Sequence, residues 1–209
     1  MSGEKNQVLE NMKTRRSIRK YKPDMVPKEI IEKIAEAGTY AATGMGKQSP
    51  IIIAVTNKEL RDRLSKMNAQ VMGSNSDPFY GAPVVLIVLA NKNYGTYVYD
   101  GSLVMGNLML AAHELGIASC WIHRAKEEFE SPEGKQILKD LGIITDDMKE
   151  NSEWLSADAD LEEAIPFVGG GYSGTSNAGP SALYLYNERS NVWASLGFFS
   201  ACLGEPVRR

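Results

Sequence analysis

Apolar residues recur at helical spacing in two stretches of the first third of the chain. Between positions 28 and 42, isoleucines and alanines return every three or four residues, and Pro27 stands before the first turn, where its missing N–H costs little. This pattern predicts an amphipathic helix over 28–42. A second helix is predicted after it, with an apolar face made of Leu60, Leu64, Met67 and Val71.

Short apolar runs between turn residues predict the strands. Residues 50–56 are rich in isoleucine and valine, and residues 84–90 are apolar throughout, which is typical of a strand covered on both faces. A third strand is predicted over 117–122, and strand-like pieces remain at 182–186 and 192–199. Glycine, serine, asparagine, aspartate and proline between 73 and 83 predict a loop.

Two later helices complete the alternation. Residues 100–115 are apolar nearly all round, which suits a helix inside a core or across a subunit interface. A charged helix is predicted around 133–141. Because helices and strands alternate, we expect a layered sheet with helices on both faces.

The composition is that of one globular domain without a strong net charge. Of 209 residues 43% are hydrophobic, and 23 Lys and Arg against 26 Asp and Glu give a formal net charge of −3. The chain is long enough to enclose a sizeable core. No global positive field exists to hold a nucleic-acid backbone, so a generic DNA or RNA binder is not expected.

The cysteines and the hydropathy bear on the compartment. Cys120 and Cys202 are far apart in sequence and have no metal-ligand spacing, which fits a reducing compartment and argues against structural zinc. The longest apolar run, 84–90, is too short to cross a bilayer, and the first residues lack the apolar core of a signal peptide. We therefore expect a cytoplasmic protein without a bound metal.

Basic residues cluster near the N-terminus. The segment 14–20 reads Thr-Arg-Arg-Ser-Ile-Arg-Lys, and arginine forks beside a serine hydroxyl can hold a monophosphate by charge-assisted hydrogen bonds. A solvated run of charges is the alternative, and the segment alone weights the two interpretations about evenly. Repulsion among these cations favours an anion between them. No Rossmann fingerprint or P-loop occurs to supply a phosphate site.

Side chains for acid–base or nucleophilic catalysis are scarce. His113 and His123 are the two histidines, and neither has a nucleophile and a carboxylate in pattern. We expect His113 beside core residues on a helix and Cys120 inside a buried strand, while His123, at a strand end, is a candidate for lining a site. Without an acid–base set, demanding chemistry would come from a bound cofactor, which points to redox cofactors.

Four segments together resemble the FMN-dependent nitroreductase family, and most closely its small bacterial members. They are 14–19, 41–50, 100–103 and 116–122, and the resemblance extends over residues 8–143. It implies an α+β fold with a central mixed β-sheet flanked by helices, assembled as an intertwined homodimer with FMN at the subunit interface. Against this family pattern the segment 150–201 is atypical, and we expect one domain over 1–209 that contains it.

The resemblance also implies which residues bind the cofactor, with the flavin itself carrying the chemistry and no catalytic side chain required. Gln48 would border the isoalloxazine ring, Asn68 would meet its pyrimidine side, and Arg208 or Arg209 would join the phosphate site. The FMN phosphate and the pyrimidine edge would be held by Arg15, Arg16, Ser17 and Arg19. The ring would be approached near its N5 by Ser119, Cys120, Trp121, Ile122, His123 and Arg124.

The implied function is that of an oxidoreductase. Hydride would pass from NADH or NADPH through FMN to a nitroaromatic, quinone or related acceptor, in a ping-pong cycle because donor and acceptor would stack in turn on one flavin face. The alternative is a non-catalytic module that stores, senses or delivers FMN. A small-molecule acceptor is the expected partner, and neither a nucleic acid nor a membrane is.

Overall fold

A sheet with both faces covered organises the chain. The computed structural model describes residues 6–143, 164–168 and 196–206, and in these the strands stand in the order β3-β5-β2-β1-β4. Their bounds are β1 Ile51–Val55, β2 Val84–Asn91, β3 Ala118–Ile122, β4 Ala164–Val168 and β5 Leu196–Gly204. The four ladders between them are antiparallel, and a parallel bridge joins Ser17 to Ser119 beside β3.

The helices begin and end at identifiable residues. Their bounds in the described ranges are α1 Gln7–Thr14, α2 Lys28–Thr39, α3 Lys58–Met72, α4 Tyr97–Glu114, α5 Ala125–Glu130 and α6 Pro132–Asp140. Asn57 caps α3 by accepting a hydrogen bond from the N–H of Leu60 at 2.8 Å, and Gly73 ends the helix with φ 68°. Ser131 caps α6 by accepting from the N–H of Gly134 at 3.0 Å.

Alternate residues of the central strands belong to two cores. On one face Ile87 and its like-facing neighbours pack under α3, α5 and α6, and on the other face Leu86 packs with α2 and α4. Because all eight residues of β2 are buried, this strand has no polar face. Each fully buried Leu or Ile contributes about 1.5–3 kcal/mol to the unfolding free energy, so β2 and its two helical layers stabilise the sheet that positions the site.

Most of the predicted elements are confirmed, with shifted ends. The α+β class with helices on both faces is confirmed, and so are the strands near 50–56, 84–90 and 117–122. The helix predicted over 28–42 ends at Thr39, and the one predicted over 100–115 begins at Tyr97. The second predicted helix is confirmed as α3, and on its apolar face Leu64 and Met67 are buried while Val71 is 43% exposed.

Other predictions fall outside the described residues or met elements that the pattern did not indicate. The piece at 182–186, most of the atypical segment 150–201, and Arg208 lie outside the described ranges. The piece at 192–199 overlaps β5, which continues to Gly204 between β2 and β3. Helices α1 and α5 and strand β4 were not predicted. Within the described ranges no helix has the length and apolar character to cross a membrane.

Candidate functional site

The basic segment lies along the edge of the sheet. Ile18 donates its N–H to the carbonyl of Ser119 at 3.0 Å, which fixes Ser17 beside β3. Farther on, Tyr21 pairs with Pro206, and Lys22 donates its N–H to the Glu205 carbonyl at 2.9 Å. The cationic segment is therefore attached to the strand whose residues were predicted to approach a flavin.

Arg15 and Arg16 follow α1 and differ in how their guanidinium groups are used. Arg16 Nη1 donates to the carbonyls of Lys13 at 2.6 Å and Arg15 at 2.7 Å, so it satisfies acceptors at the end of α1. Arg15 Nη1 is buried and has no hydrogen-bond partner among the described residues. An unpaired buried donor costs about 1–3 kcal/mol, and a bound oxyanion would remove that cost. Ser17 is exposed beside it.

Arg19 is placed over the ring of Tyr80, with its guanidinium carbon 6.0 Å from the ring centre. Tyr80 has φ 56°, a left-handed conformation that a non-glycine residue rarely adopts. The loop around it is held by Asp77, which accepts hydrogen bonds from the N–H groups of Phe79 at 2.9 Å and Gly81 at 2.7 Å. Arg16, Ser17 and Arg19 are exposed in the single chain, so they border an open surface.

The loop before β1 is strained and is fixed from α4. Met45 and Gln48 have φ values of 54° and 46°. Asp100, 2% exposed, accepts from the N–H of Gly44 and from the hydroxyl of Thr96, both at 2.9 Å. Left-handed backbone at non-glycine residues persists where its surroundings determine it, and it is frequent at functional sites. In this loop the hydrogen bond from Gly44 to Asp100 holds the strained segment against α4.

Gln48 is bonded within its own loop. Its N–H donates to the Thr43 hydroxyl at 2.9 Å, its Oε1 accepts from that hydroxyl at 2.7 Å, and its Nε2 donates to the Thr39 carbonyl at 3.1 Å. Gln48 and Thr43 also line a small cleft, with room for about one water molecule, beside Val104 of α4. Within the described residues no hydrogen bond links Gln48 to the basic segment, so contact of Gln48 with a flavin stays a prediction.

Strand β3 divides its predicted site residues between the core and the surface. Ser119, Cys120 and Ile122 are buried, and the expectation of a core position for Cys120 is confirmed. Trp121, 40% exposed, and His123 lie at the surface. The side chains at 120 and 122 are enclosed and therefore not accessible to a ligand.

Asn68 connects α3 to the turn after β3. It is fully buried, and its Nδ2 donates to the His123 carbonyl and to Glu128 Oε2, both at 3.0 Å. Its Oδ1 accepts from Nε of Arg124 at 3.1 Å. The amide is thus fully engaged with protein partners. Arg124, with φ 77°, is half-buried, and a flavin contact of Asn68 stays a prediction.

Glu128 is a buried acid within this cluster. Burial raises its pKa to about 7, against the opposing effects of the Asn68 hydrogen bond and the Arg124 charge. Its Oε1 is buried without a hydrogen-bond partner among the described residues. A carboxyl that changes charge near neutral pH beside Asn68 is a candidate functional group.

Asp100 and Glu128 were missed as site residues by the sequence reasoning. Asp100 stands in one of the segments that carry the resemblance, but no role was attached to it. Glu128 could have been found from helical spacing, because Ala125 and Phe129 define a buried face on which Glu128 also lies. His113 is found where it was expected, on α4, with its Nε2 2.9 Å from the Thr14 hydroxyl.

Two curated relatives are similar over part of the chain. A Methanothermobacter thermautotrophicus protein, named provisionally as NADH dehydrogenase/NAD(P)H nitroreductase, is 34% identical over 126 residues, covering 56% of this chain and 61% of the relative. A Staphylococcus epidermidis NADPH-dependent oxidoreductase is 29% identical over 133 residues, covering 52% of this chain and 50% of the relative. The chain thus matches between half and two thirds of the length of these relatives.

Solved structures share the fold over nearly the whole chain. A nitroreductase with bound FMN from Bacteroides fragilis is 24% identical, with a TM-score of 0.66 over 97% of this chain and 89% of that one. A nitroreductase with bound FMN from Desulfitobacterium hafniense is 22% identical, with a TM-score of 0.66 over 99% and 92%. At these identities the likeness establishes the fold.

The family match covers the part of the chain that carries the candidate site. The model of the nitroreductase family matches residues 12–76 and 70–143, which is more than half of the 209 residues. These ranges include the basic segment, the strained loop before β1, Asn68 and the turn after β3. On this match, the chain belongs to the nitroreductase family.

Proposed function

We propose that this protein is an FMN-dependent oxidoreductase that takes hydride from NADH or NADPH and delivers it to a nitroaromatic, quinone or related acceptor by a ping-pong mechanism. The observation that carries the proposal is the buried, unpartnered Nη1 of Arg15 beside the exposed Ser17 at the edge of β3. FMN would supply the chemistry when bound, by accepting and donating two electrons as hydride. The relatives' names and the FMN-bound neighbours of this family support the proposal.

In this proposal the protein's own residues bind the FMN phosphate, orient the flavin ring and stabilise negative charge on it. Arg15 and Ser17 would hold the phosphate by charge-assisted hydrogen bonds, and Arg19 would add positive charge. Fixed cations and donors lower the free energy of negative charge that develops on a bound redox group, and they need no reorganisation because the protein holds them in place. The backbone from Ser119 to Arg124 would border the ring, which leaves the chemistry without an amino-acid acid or base.

A homodimer with FMN at its interface is part of the proposal. Helix α1 has no buried residue in the single chain, and its Val8 and Met12 are more than half exposed. On α4, which α1 contacts, Tyr99 is 69% exposed and Leu103 is 50% exposed. Exposed apolar side chains on two helices that contact each other favour an interaction surface here. The free, buried cysteines support a reducing compartment, and we place the protein in the cytoplasm.

The dimer is tested by charge substitution on this surface. Leu103→Glu is expected to shift the protein from dimer to monomer in sedimentation velocity and to weaken FMN binding, because a carboxylate would be buried in the interface. Glu29→Gln, on the exposed side of α2, is the control and should leave the sedimentation coefficient unchanged. A wild-type protein that sediments as a monomer at micromolar concentration would contradict the dimer.

The redox function is tested by an absorbance spectrum followed by anaerobic titration. We expect a yellow protein whose flavin absorbance is bleached by NADH or NADPH and restored by a nitroaromatic or a quinone. A yellow protein that neither nicotinamide reduces would instead support the non-catalytic flavin module. A protein that stays colourless after incubation with FMN would overturn the proposal.

The phosphate assignment is tested by Arg15→Ala with Ser17→Ala. Each charged contact is worth about 1.5–3 kcal/mol, so FMN affinity should fall by a factor on the order of 100 or more. Lys20→Ala removes a charge from the same segment and should change the affinity by less than about threefold, because an exposed cation contributes little. A double variant that purifies with full flavin occupancy would show that the phosphate lies elsewhere.

A further inference from the structure

Arg124 has a backbone conformation that arginine seldom adopts. It follows the end of β3 with φ 77° and ψ 5°, in the left-handed region that favours glycine. Such a conformation costs on the order of 1–3 kcal/mol and persists only where neighbours impose it. The strain places a long cationic side chain at the turn where the strand leaves the sheet.

The inner part of the guanidinium is fixed and the outer part is open. Nε of Arg124 donates to Asn68 Oδ1 at 3.1 Å, and the orientation of that amide is set by its two other hydrogen bonds, to the His123 carbonyl and to Glu128. Nη1 and Nη2 of Arg124 have no hydrogen bond or ion pair within the described residues.

Arg61, a buried arginine of α3, shows how an arginine with a purely structural role is bonded. Arg61 donates from Nε to the Ala82 carbonyl at 2.8 Å, from Nη1 to Asp62 at 3.1 Å and from Nη2 to Asp77 at 2.6 Å. All three nitrogens of that guanidinium are therefore in use, as expected of an arginine that supports the fold. Arg124 is also bonded at Nε, at 3.1 Å, but its Nη1 and Nη2 groups remain as two parallel donors for a ligand.

The surroundings favour a flat anion. Trp121, 40% exposed, and His123, exposed, precede Arg124 at the end of β3, and aromatic side chains at the surface favour contact with a planar ligand. Two parallel N–H groups match the two oxygens of a carboxylate. We propose that Arg124 is a specificity-determining residue that binds the carboxylate of an aromatic acceptor molecule. This inference rests on the proposed flavin function, because the acceptor would dock beside the ring.

The test compares two ligands that differ in charge. Benzoate and benzamide have nearly the same shape and neither is reduced, so their dissociation constants can be measured on the flavin-loaded protein from the perturbation of flavin absorbance, without turnover. We expect benzoate to bind more tightly than benzamide. In Arg124→Gly, whose glycine adopts φ 77° without strain, the ratio of the two constants should fall by about 10- to 100-fold.

Two further variants test whether the preference comes from the Arg124 side chain or from nearby positive charge. Arg124→Lys keeps the charge but loses the two parallel donors, so it should retain only part of the preference for benzoate. Lys126→Gln removes an exposed cation two residues away and should leave the ratio as in the wild type.

Three results would overturn the inference. The first is an equal affinity of the wild type for the two ligands. The second is an unchanged ratio in Arg124→Gly, and the third is loss of flavin by that variant, which would assign Arg124 to the cofactor. A wild type that binds no FMN at all would instead overturn the proposed function.

Discussion

The loop 73–83 and the turn after β3 each enclose a carboxylate, and the protein surrounds the two in different ways. Asp77 accepts hydrogen bonds from Arg61 and Ser65, both at 2.6 Å, and from two backbone N–H groups. Glu128 accepts from Asn68 at one oxygen, and its other oxygen is buried without a partner among the described residues.

The two pKa values move in opposite directions as a result. Burial alone would raise the pKa of Asp77, but the hydrogen bonds from Arg61, Ser65 and the backbone bring it below its usual range. Burial raises the pKa of Glu128 to about 7, because one amide donor and the charge of Arg124 do not compensate for lost water. Asp77, with 34% of its side chain exposed, is both less deeply buried and bonded to more donors than Glu128, which is 1% exposed, and the two differences together keep Asp77 charged.

The difference separates a fixed region from a responsive one. Asp77 holds the loop that carries Tyr80, and its charge is constant over the physiological range. Glu128 holds Asn68, which in turn orients Arg124, and its charge changes near neutral pH. We therefore expect the charge of the candidate site to change near neutral pH at Glu128, which follows the turn after β3.

The largest effect on stability is expected from Asp77→Asn. The change removes the closer of the two carboxylates that Arg61 binds, at 2.6 Å against 3.1 Å for Asp62, and because the Arg61 side chain is only 9% exposed the loss should cost about 3 kcal/mol of unfolding free energy. Urea unfolding at constant flavin saturation measures the cost. Glu133→Gln breaks the exposed pair with Arg63 and should cost less than about 1 kcal/mol.

The acid dependence of Asp77→Asn follows from the lowered pKa. An Asp whose folded pKa lies below its unfolded value contributes stability above the unfolded pKa and loses it as pH falls through the folded pKa. The variant should therefore lose part of the wild type's decline in stability below pH ~4. An unchanged acid limb, with unfolding free energies equal to those of the Glu133 control, would show that Asp77 is not a structural anchor.

Glu128→Gln should change the pH dependence of the unfolding free energy in the opposite direction to Asp77→Asn. The folded pKa of Glu128 is raised above the unfolded value, so its contribution is fully present below the unfolded pKa and is lost as pH rises through about 7. The wild type should lose about 3 kcal/mol between pH 4.5 and pH 8.5 from this group, and the uncharged variant should not. Unfolding free energies at pH 4.5, 6.5 and 8.5 measure the difference, and parallel profiles for the two proteins would rule out the raised pKa.

Local elements could be predicted from the sequence, whereas pairings between distant segments could not. The β-branched run that became β2 and the periodic face of α2 were predictable, because period and burial follow from local composition. The attachment of residues 17–18 to β3 and the insertion of β5 between β2 and β3 were not, since pairing between distant segments leaves no mark on local periodicity.

The site was predictable as a set of segments and not as a set of contacts. The basic segment was singled out by its pattern of cations, and the turn after β3 by the resemblance to the nitroreductase family and by His123 at the strand end. The pairing of Asn68 with Glu128, and the strain at Arg124, were beyond the reach of either, because they depend on how α3 and α5 pack. The same holds for Asp77, which in the sequence was one polar residue of a predicted loop.

The smallest effect is expected from Ser65→Ala. Ser65 is buried in α3 and donates one of the four hydrogen bonds to Asp77, whose Oδ1 would still accept from the N–H of Phe79. Loss of this bond should cost about 1 kcal/mol of unfolding free energy, because the remaining donors keep the carboxylate charged. In the Asp77→Asn background the same substitution should cost less, since the bond to a charged acceptor is already gone. If Ser65→Ala costs the same in both backgrounds by urea unfolding, the serine stabilises α3 independently of Asp77, and Asp77 owes its low pKa to Arg61 and the backbone alone.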